Sequence, residues 1–211
     1  MFLELLVEGS SDVPVVREVL SRRFHLREEH QFRIHPHRGK GKLPANVLQK
    51  PDITQRGLLD QLPAKLRGYA HLPADYGVVV LVDADEGDCK ALRLSLTRMY
   101  QEIVQRPRHV LFRIAIEETE SWLLADEKAV RAAYPVARRR KFPPGPPDRV
   151  IGAWERFAEL IGRRPCECSG KDKLEWSEKV SPHLDLDLPK SPSLRRFITG
   201  VERLLEELRS N

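Results

Sequence analysis

Hydrophobic and polar residues along the chain alternate between strand-like segments and segments with helical spacing. The strand-like segments are residues 2–7, 31–35, 78–82 and 110–116. Between them, apolar residues recur every three or four positions, as they do on one face of a helix. The segment 78–82 contains only branched apolar residues, which is typical of a strand buried on both faces of a parallel sheet. The alternation predicts an α/β fold with a parallel, right-handed sheet flanked by helices.

Two helices have clear sequence signals. The first is predicted at residues 13–24, where Ser11 or Asp12 can cap it and Pro14 is tolerated in its first turn. The last is predicted at residues 191–209, where one apolar stripe repeats at helical spacing. This stripe either packs on the core or forms an interface, and its members are Leu194, Phe197, Ile198, Val201, Leu204, Leu205 and Leu208.

The composition changes after residue 128. A basic run at 138–141 is followed by a proline-rich segment at 142–147, and the latter cannot be regular helix or central strand. We therefore expect an α/β domain at residues 1–128 and a mostly helical extension at 129–211, packed on the domain.

Charge and cysteine content restrict the function only loosely. Lys and Arg number 36 against 31 Asp and Glu, a net charge of +5 that permits a polyanionic partner without requiring one. No apolar stretch of about 18 residues and no export signal is present, so a cytoplasmic protein without membrane contact is expected. Cys166 and Cys168 with His183 lack the spacing and the fourth ligand of a zinc site.

Acidic residues follow two of the predicted strands. Glu8 follows the first strand, and Asp83 and Asp85 follow the third. Because ligands collect at the carboxyl ends of parallel strands, we expect these carboxylates to converge there. Two carboxylates about 4 Å apart repel by roughly 4 kcal/mol at an effective dielectric of 20, so a group of three needs protons or a cation. The pattern predicts a Mg²⁺ or Mn²⁺ site, and the alternative is that each acid merely caps a helix.

Further acids and a basic loop lie near the same predicted edge. Glu117 and Glu120 follow the fourth strand and would share a helical face that could complete a second metal site; a solvated first helical turn is the alternative. The loop at residues 35–42 could place Arg38, Lys40 and Lys42 on phosphate groups, or be a plain solvated loop. It is not a Walker A sequence.

Four phrases of the sequence carry a family resemblance. They are VEGSSD at 7–12, LVDADEGD at 81–88, ETESWLLAD at 118–126 and SPSLRRF at 191–197. Over residues 1–126 the chain resembles the Toprim superfamily, whose members carry a Glu after the first strand and Asp-x-Asp after the third. It is most similar to nuclease-type Toprim domains of the overcoming-lysogenization-defect group and to a related bacterial Toprim-like family.

The resemblance implies a role for each acidic residue. Glu8 would be a metal ligand or general acid/base, and Asp83 and Asp85 would be metal ligands. Asp12 would be a ligand at a second metal, although its position also suits a helix cap. Glu120 is preferred over Glu117 because it belongs to the resemblance motif.

The resemblance also implies a function. We expect a Mg²⁺- or Mn²⁺-dependent nuclease acting on DNA more than RNA, with an ABC-type or AAA-type ATPase partner in phage defence or DNA repair. A non-catalytic metal- or nucleotide-binding subunit that docks through its last helix is the alternative, and homo-oligomerisation stays open. A phosphoaspartate receiver ranks last, because Glu117 and Glu118 stand where a receiver has its lysine.

Overall fold

A parallel sheet forms the centre of the protein. The structure is a computed structural model and describes residues 1–52, 54–85 and 87–210. In this part of the chain four strands pair in the order β2-β1-β3-β4, all parallel. Their bounds are β1 Phe2–Val7, β2 Phe32–Pro36, β3 Tyr76–Asp83 and β4 His109–Ala115. The predicted α/β class with a parallel sheet is confirmed.

Eight α-helices accompany the sheet in the described residues. They are α1 Asp12–Glu18, α2 Leu58–Gly68, α3 Cys89–Glu102, α4 Glu120–Ala125, α5 Glu127–Ala133, α6 Ala153–Leu160, α7 Gly170–Val180 and α8 Pro192–Arg209. The first helix continues as a π-helical turn over Val19–Arg23. Helices α4 to α8 make the region after β4 helical, as predicted. Among these helices none has the length and apolar content needed to cross a bilayer.

The strand order creates a crevice between β1 and β3. From β1 the chain crosses to β2 on one side, and the next crossover returns to β3 on the other side. The connections after β1 and β3 therefore leave in opposite directions, and open α/β sheets bind ligands at such a switch point. The residues that follow β1 and end β3 flank this crevice.

Two apolar clusters cover the two faces of the sheet. In β3, Val79 and Leu81 face one cluster while Val78, Val80 and Val82 face the other, as the alternation of a strand requires. The second cluster is completed by α2 and α3. The first extends from Trp122, before the predicted boundary at residue 128, to Phe157, Trp176 and Phe197 after it. The division at residue 128 stays a prediction, and the two parts share one core.

The apolar stripe of α8 is part of that core. All seven of its predicted members are buried, and the helix lies against β4 and β3. Gly77 in β3 allows this approach, because a Cβ there would lie 3.1 Å from Leu208 Cδ1 and 3.2 Å from Leu204 Cδ2. The stripe therefore packs on the core, and the Leu204 and Leu205 face is not exposed for docking.

Candidate functional site

Glu8 and Asp83 meet where β1 and β3 end. Glu8 directly follows β1, and Asp83 is the last residue of β3. The backbone N–H of Asp83 donates to Glu8 Oε1 over 2.7 Å. Glu8 is only 9% exposed, so its carboxyl group lies inside the crevice. The structure thus brings together two of the predicted site residues from neighbouring strands.

Burial makes full ionisation of these acids unfavourable. It raises the pKa of Glu8 to about 8, with the negative charges of Asp12 and Asp85 adding to the shift and the Asp83 N–H and Lys40 opposing it. Burial also raises the pKa of Asp83 well above its usual range, and the charges of Asp12 and Glu8 raise it further. The crevice therefore favours protons or a cation over several free carboxylates.

Asp12 connects the turn after β1 to the turn after β4. Its Oδ2 accepts a hydrogen bond from the Gly9 N–H at 2.9 Å, and its Oδ1 accepts one from the Thr119 hydroxyl at 2.7 Å. Ser11 occupies the predicted N-cap position of α1 but makes no side-chain bond to the helix start, and Asp12 is already helical. The sequence did not single out Thr119, because its partner lies 107 positions away.

Asp85 lies on the solvent side of the site. Its φ of +50° turns the chain out of the extended path, and its carboxylate is exposed. Lys40 Nζ donates to Asp85 Oδ2 over 2.9 Å and to the Ala84 carbonyl over 3.3 Å. Two residues apart on an extended strand, Asp83 and Asp85 would point the same way; the left-handed turn separates them. In the described residues no three His, Cys, Asp or Glu side chains are arranged to hold a metal ion.

Glu120 lies on the inner side of the site with Glu118 and Lys173. It is 3% exposed, and its Oε1 has no hydrogen-bond partner among the described residues. Lys173 Nζ lies 3.4 Å from Glu118 Oε1 and 3.6 Å from Glu120 Oε1. Burial raises the pKa of Glu120 to about 7, and Lys173 opposes this shift while Glu118 adds to it.

Lys173 is a site residue that the sequence did not reveal. It comes from α7 and sits 5.0 Å from the centre of the Trp154 ring. Burial lowers its pKa, but Glu120 and Glu118 raise it by more, so the ammonium group stays charged. In the sequence Lys173 looks like its neighbour Lys171, and only the packing of α7 beside α1 and α4 distinguishes the two.

Glu117 does not share a helical face with Glu120. It has a φ of +62°, precedes α4, and its Oε2 accepts the Gly152 N–H at 3.2 Å. Its backbone carbonyl also accepts the Asp85 N–H at 2.9 Å. Glu118 takes the place predicted for Glu117 beside Glu120, and its Oε2 accepts the Trp154 N–H at 3.3 Å. The prediction for Glu117 is wrong because the left-handed turn delays the helix start.

The basic loop is held in place by the start of α2. The N–H groups of Leu58 and Leu59 donate to the carbonyls of Gly39 and Lys40 at 2.8 and 2.7 Å, so the loop satisfies the free donors of the helix. A Cβ at Gly41 would lie 2.3 Å from Asp60 Oδ2, and its φ is +67°. Gly41 therefore permits close packing against Asp60, whereas Gly39, with open space around it, permits the turn that its φ of +88° makes.

The three residues predicted to contact phosphate groups lie in different surroundings. Lys40 reaches the site through Asp85, whereas Arg38 and Lys42 are exposed. Lys42 follows the turn at Gly41, and its N–H donates to Asp60 Oδ1 at 2.9 Å.

The SPSLRRF phrase has a structural role. Asp148 accepts the Ser191 hydroxyl at 2.6 Å and the Ser193 N–H at 2.7 Å, and all three residues are buried. Trp122 Nε1 donates to Ser193 Oγ at 2.7 Å. The network fixes the start of α8 against α4, and the Ser191 side chain caps the helix.

The segment before α6 forms the outer wall of the site. Clefts of about 500 and 440 Å³ adjoin Asp85 and Glu117, and both are also lined by Ile151, whose side chain is 74% exposed. Trp154 and Glu118 line the second cleft. Acidic and apolar groups are therefore accessible beside the buried carboxylates.

Comparison with known proteins identifies one family. Residues 7–202 match the family described as a domain of unknown function, DUF4276. No curated protein and no solved structure matches the chain. The match begins just before Glu8, ends within α8 and includes every predicted site residue. The chain therefore belongs to the DUF4276 family.

Proposed function

We propose that the protein is a Mg²⁺- or Mn²⁺-dependent nuclease that cleaves phosphodiester bonds, with DNA as the preferred substrate. The observation that carries the proposal is the contact between Glu8 and Asp83 at the switch point of the sheet. Asp12, Glu118 and Glu120 place further carboxylates around this pair. Buried acids with raised pKa values at a crevice are typical of functional sites.

The donor groups fit a hard cation. Mg²⁺ commonly takes one or two carboxylates and completes its coordination with water and substrate phosphate, so Glu8 and Asp83 suffice as protein ligands. Asp12 and Glu120 are candidates for a second ion; Glu120 Oε1 has no hydrogen-bond partner among the described residues and lies 3.6 Å from Lys173 Nζ. Asp85 is the candidate ligand on the solvent side. A bound cation would stabilise the charge that develops on the phosphate oxygens.

The residues of the chain have separate tasks in this proposal. The Asp83 N–H holds Glu8 Oε1, which leaves Oε2 for one of the two roles that the resemblance implies, a metal ligand or a general acid/base. Lys173 balances the charge of Glu118 and Glu120 behind the pair. Lys40, at the rim, would exchange Asp85 for a substrate phosphate.

The Toprim resemblance supports the same chemistry and extends the proposal. By this resemblance Glu8 and Asp83 would occupy the ligand positions of nuclease-type Toprim domains. It also suggests a cytoplasmic nuclease that works with an ABC-type or AAA-type ATPase in phage defence or DNA repair.

Cleavage assays test the proposal. Purified protein is incubated with supercoiled plasmid, linear DNA and RNA in Mg²⁺ or Mn²⁺, beside Glu8→Gln and Asp83→Asn. Both substitutions keep the side-chain shape, and we expect each to lower the cleavage rate by at least about 100-fold. Glu206→Gln, an exposed position on α8, is the matched control and should leave the rate unchanged. Cleavage that persists in both site variants rejects the proposal.

A non-catalytic subunit is the second candidate function. The observation in its favour is Lys173, which already supplies a positive charge to Glu118 and Glu120 without a metal. In that case the carboxylates would stabilise the fold, and a divalent cation would bind weakly. Absence of cleavage together with millimolar or weaker Mn²⁺ affinity would favour this candidate.

A further inference from the structure

Another cleft, lined mainly by polar residues, borders the basic loop. It has a volume of about 470 Å³ and is formed by the end of β2, the loop after it and one face of α2. Gln61 contributes a side-chain amide from α2. Basic residues dominate the rest of the lining: His35, His37, Arg38, Arg56 and Lys65.

The walls of the cleft are fixed by backbone contacts. The His37 N–H donates to the Val7 carbonyl at 3.1 Å, and His37 Nδ1 donates to the same oxygen at 2.8 Å. The Arg38 N–H donates to the Arg56 carbonyl at 3.1 Å. His37 Nε2 is buried and has no hydrogen-bond partner among the described residues. Because Nδ1 donates and burial lowers the pKa of His37, Nε2 is an acceptor in the neutral ring and does not itself bind an anion. The backbone contacts preform the cleft.

The balance of charge in the cleft is positive. Glu4 is the acidic group that faces it, and its Oε2 lies 2.5 Å from His35 Nε2. Arg38 and Lys65 contribute two positive charges to the cleft, and burial lowers the pKa of Lys65 while the charge of Glu4 opposes the shift. A desolvated cation is unfavourable without an anion nearby, so an incoming anion would be stabilised here.

We propose that this cleft binds a phosphate group of a nucleic-acid backbone, next to the phosphate that would be cleaved at Glu8 and Asp83. The inference rests on the proposed function for the identity of the polymer. Arg38 lines the cleft, and Lys40, two residues later, contacts Asp85 at the site, so one short loop connects both places. The planar fork of an arginine suits phosphate oxygens, and several basic groups in one concave surface follow a backbone without reading its sequence.

The basic residues that face the same cleft are not the ones that are adjacent in the sequence. Arg38 belongs with Lys65 and Arg56 across the cleft, rather than with Lys40 and Lys42 along the loop. Lys65 and Arg56 lie 27 and 18 positions beyond Arg38. The composition of the loop at residues 35–42 therefore does not predict that they share a cleft with Arg38.

Binding of a fluorescent single-stranded DNA oligonucleotide in EDTA tests this inference. EDTA removes any metal, so the assay does not depend on cleavage. We expect Arg38→Ala with Lys65→Ala to weaken binding by about tenfold and to lower the dependence of log affinity on log salt by about 1.4, as for two lost phosphate contacts. Arg38 is exposed, and Arg38→Ala alone should weaken binding about threefold with an unchanged melting temperature.

The matched control removes two exposed positive charges elsewhere. Arg27→Ala lies before β2, at its opposite end, and Lys171→Ala lies on α7; together they should change affinity by less than about twofold. Equal losses in both double variants would overturn the inference, because a general charge effect would explain them. Unchanged affinity in the cleft variant would overturn it as well.

Inorganic phosphate distinguishes the two sources of the anion. If millimolar phosphate binds the wild type but not the cleft variant, while oligonucleotide affinity is the same in both, the cleft takes small phosphates and the backbone inference is wrong. Cleft-dependent oligonucleotide binding without any cleavage would keep this inference and reject the nuclease proposal. Failure of the cleft inference and failure of the nuclease proposal therefore give different results.

Discussion

The carboxylate of Glu8 accepts a hydrogen bond from the backbone N–H of Asp83 over 2.7 Å, and this contact joins the ends of two neighbouring parallel strands. The bond fixes one oxygen of a buried acid. Because Glu8 and Asp83 are separated by 75 positions in sequence, their meeting is a property of the strand order. The proposed metal chemistry depends on this pair.

The stability of the metal-free protein should fall as the pH rises from about 4.5 to 8. Burial raises the pKa of Glu8 from 4.5 to about 8 and that of Glu120 to about 7, so the folded state holds more protons than the unfolded state in this range. The free energy of unfolding then decreases as the pH rises, by several kcal/mol over this range. Urea denaturation in EDTA at pH 5, 6.5 and 8 measures it.

Glu8→Gln is the control for this pH dependence. The amide cannot ionise and keeps an oxygen for the Asp83 N–H, so the decrease between pH 6.5 and 8 should be smaller than in the wild type. An identical pH profile in Glu8→Gln would contradict the assignment of the raised pKa to this residue.

Lys173→Met should destabilise the metal-free protein at pH 8 by about 2 kcal/mol and much less at pH 5. At high pH the substitution leaves the charges of Glu118 and Glu120 without their cation, whereas at pH 5 Glu120, whose pKa burial raises to about 7, is protonated. Thermal melts at the two pH values give the difference. Lys171→Met, on an exposed position of the same helix, should change little at either pH. If Lys173→Met and Lys171→Met have equal effects on stability, the assignment of Lys173 to the site is wrong.

Asp148→Ala should lower the free energy of unfolding by about 2–4 kcal/mol. It leaves the buried Ser191 hydroxyl and Ser193 N–H without their acceptor at the start of α8. Asp187→Ala is the control, because its side chain is 88% exposed and its ion pair with Arg23 contributes little. If Asp148→Ala is as stable as Asp187→Ala, the SPSLRRF phrase has no structural role at this network.

Leu204→Ala should cost about 2–4 kcal/mol in the free energy of unfolding, because it opens a cavity between α8 and the sheet. Leu188→Ala, at a position 71% exposed, should cost less than about 0.5 kcal/mol. Guanidinium denaturation measures the free energy of unfolding of both variants, and light scattering measures their molar mass in solution. A change in mass with unchanged stability would show instead that the α8 face is an interface between chains.

The strands were predictable because each one is a short apolar segment that ends at a turn. The predicted segments 78–82 and 110–116 lie within one or two residues of the observed β3 and β4. Glu8 and Asp83 were predictable as neighbours because both lie at the carboxyl ends of strands in a parallel sheet. The stripe of α8 was equally clear, since its spacing needs no tertiary information.

The remaining site residues depend on tertiary packing and on local turns. Lys173 enters the site from a helix about 90 positions after β3, and Asp12 is held by Thr119 across the crevice. The left-handed turns at Asp85 and Glu117 redirect two acids that an extended or helical backbone would have placed inward. Non-glycine residues seldom adopt this conformation, so sequence spacing does not predict it.

Mn²⁺ binding to the EDTA-treated and dialysed protein, followed by electron paramagnetic resonance at pH 7.5, decides whether the carboxylates of Glu8 and Asp83 form a metal site. The proposal predicts that the wild type binds Mn²⁺ and that Glu8→Gln and Asp83→Asn each weaken the affinity by at least about tenfold, with Glu206→Gln unchanged. Equal Mn²⁺ affinity in all four proteins would contradict it.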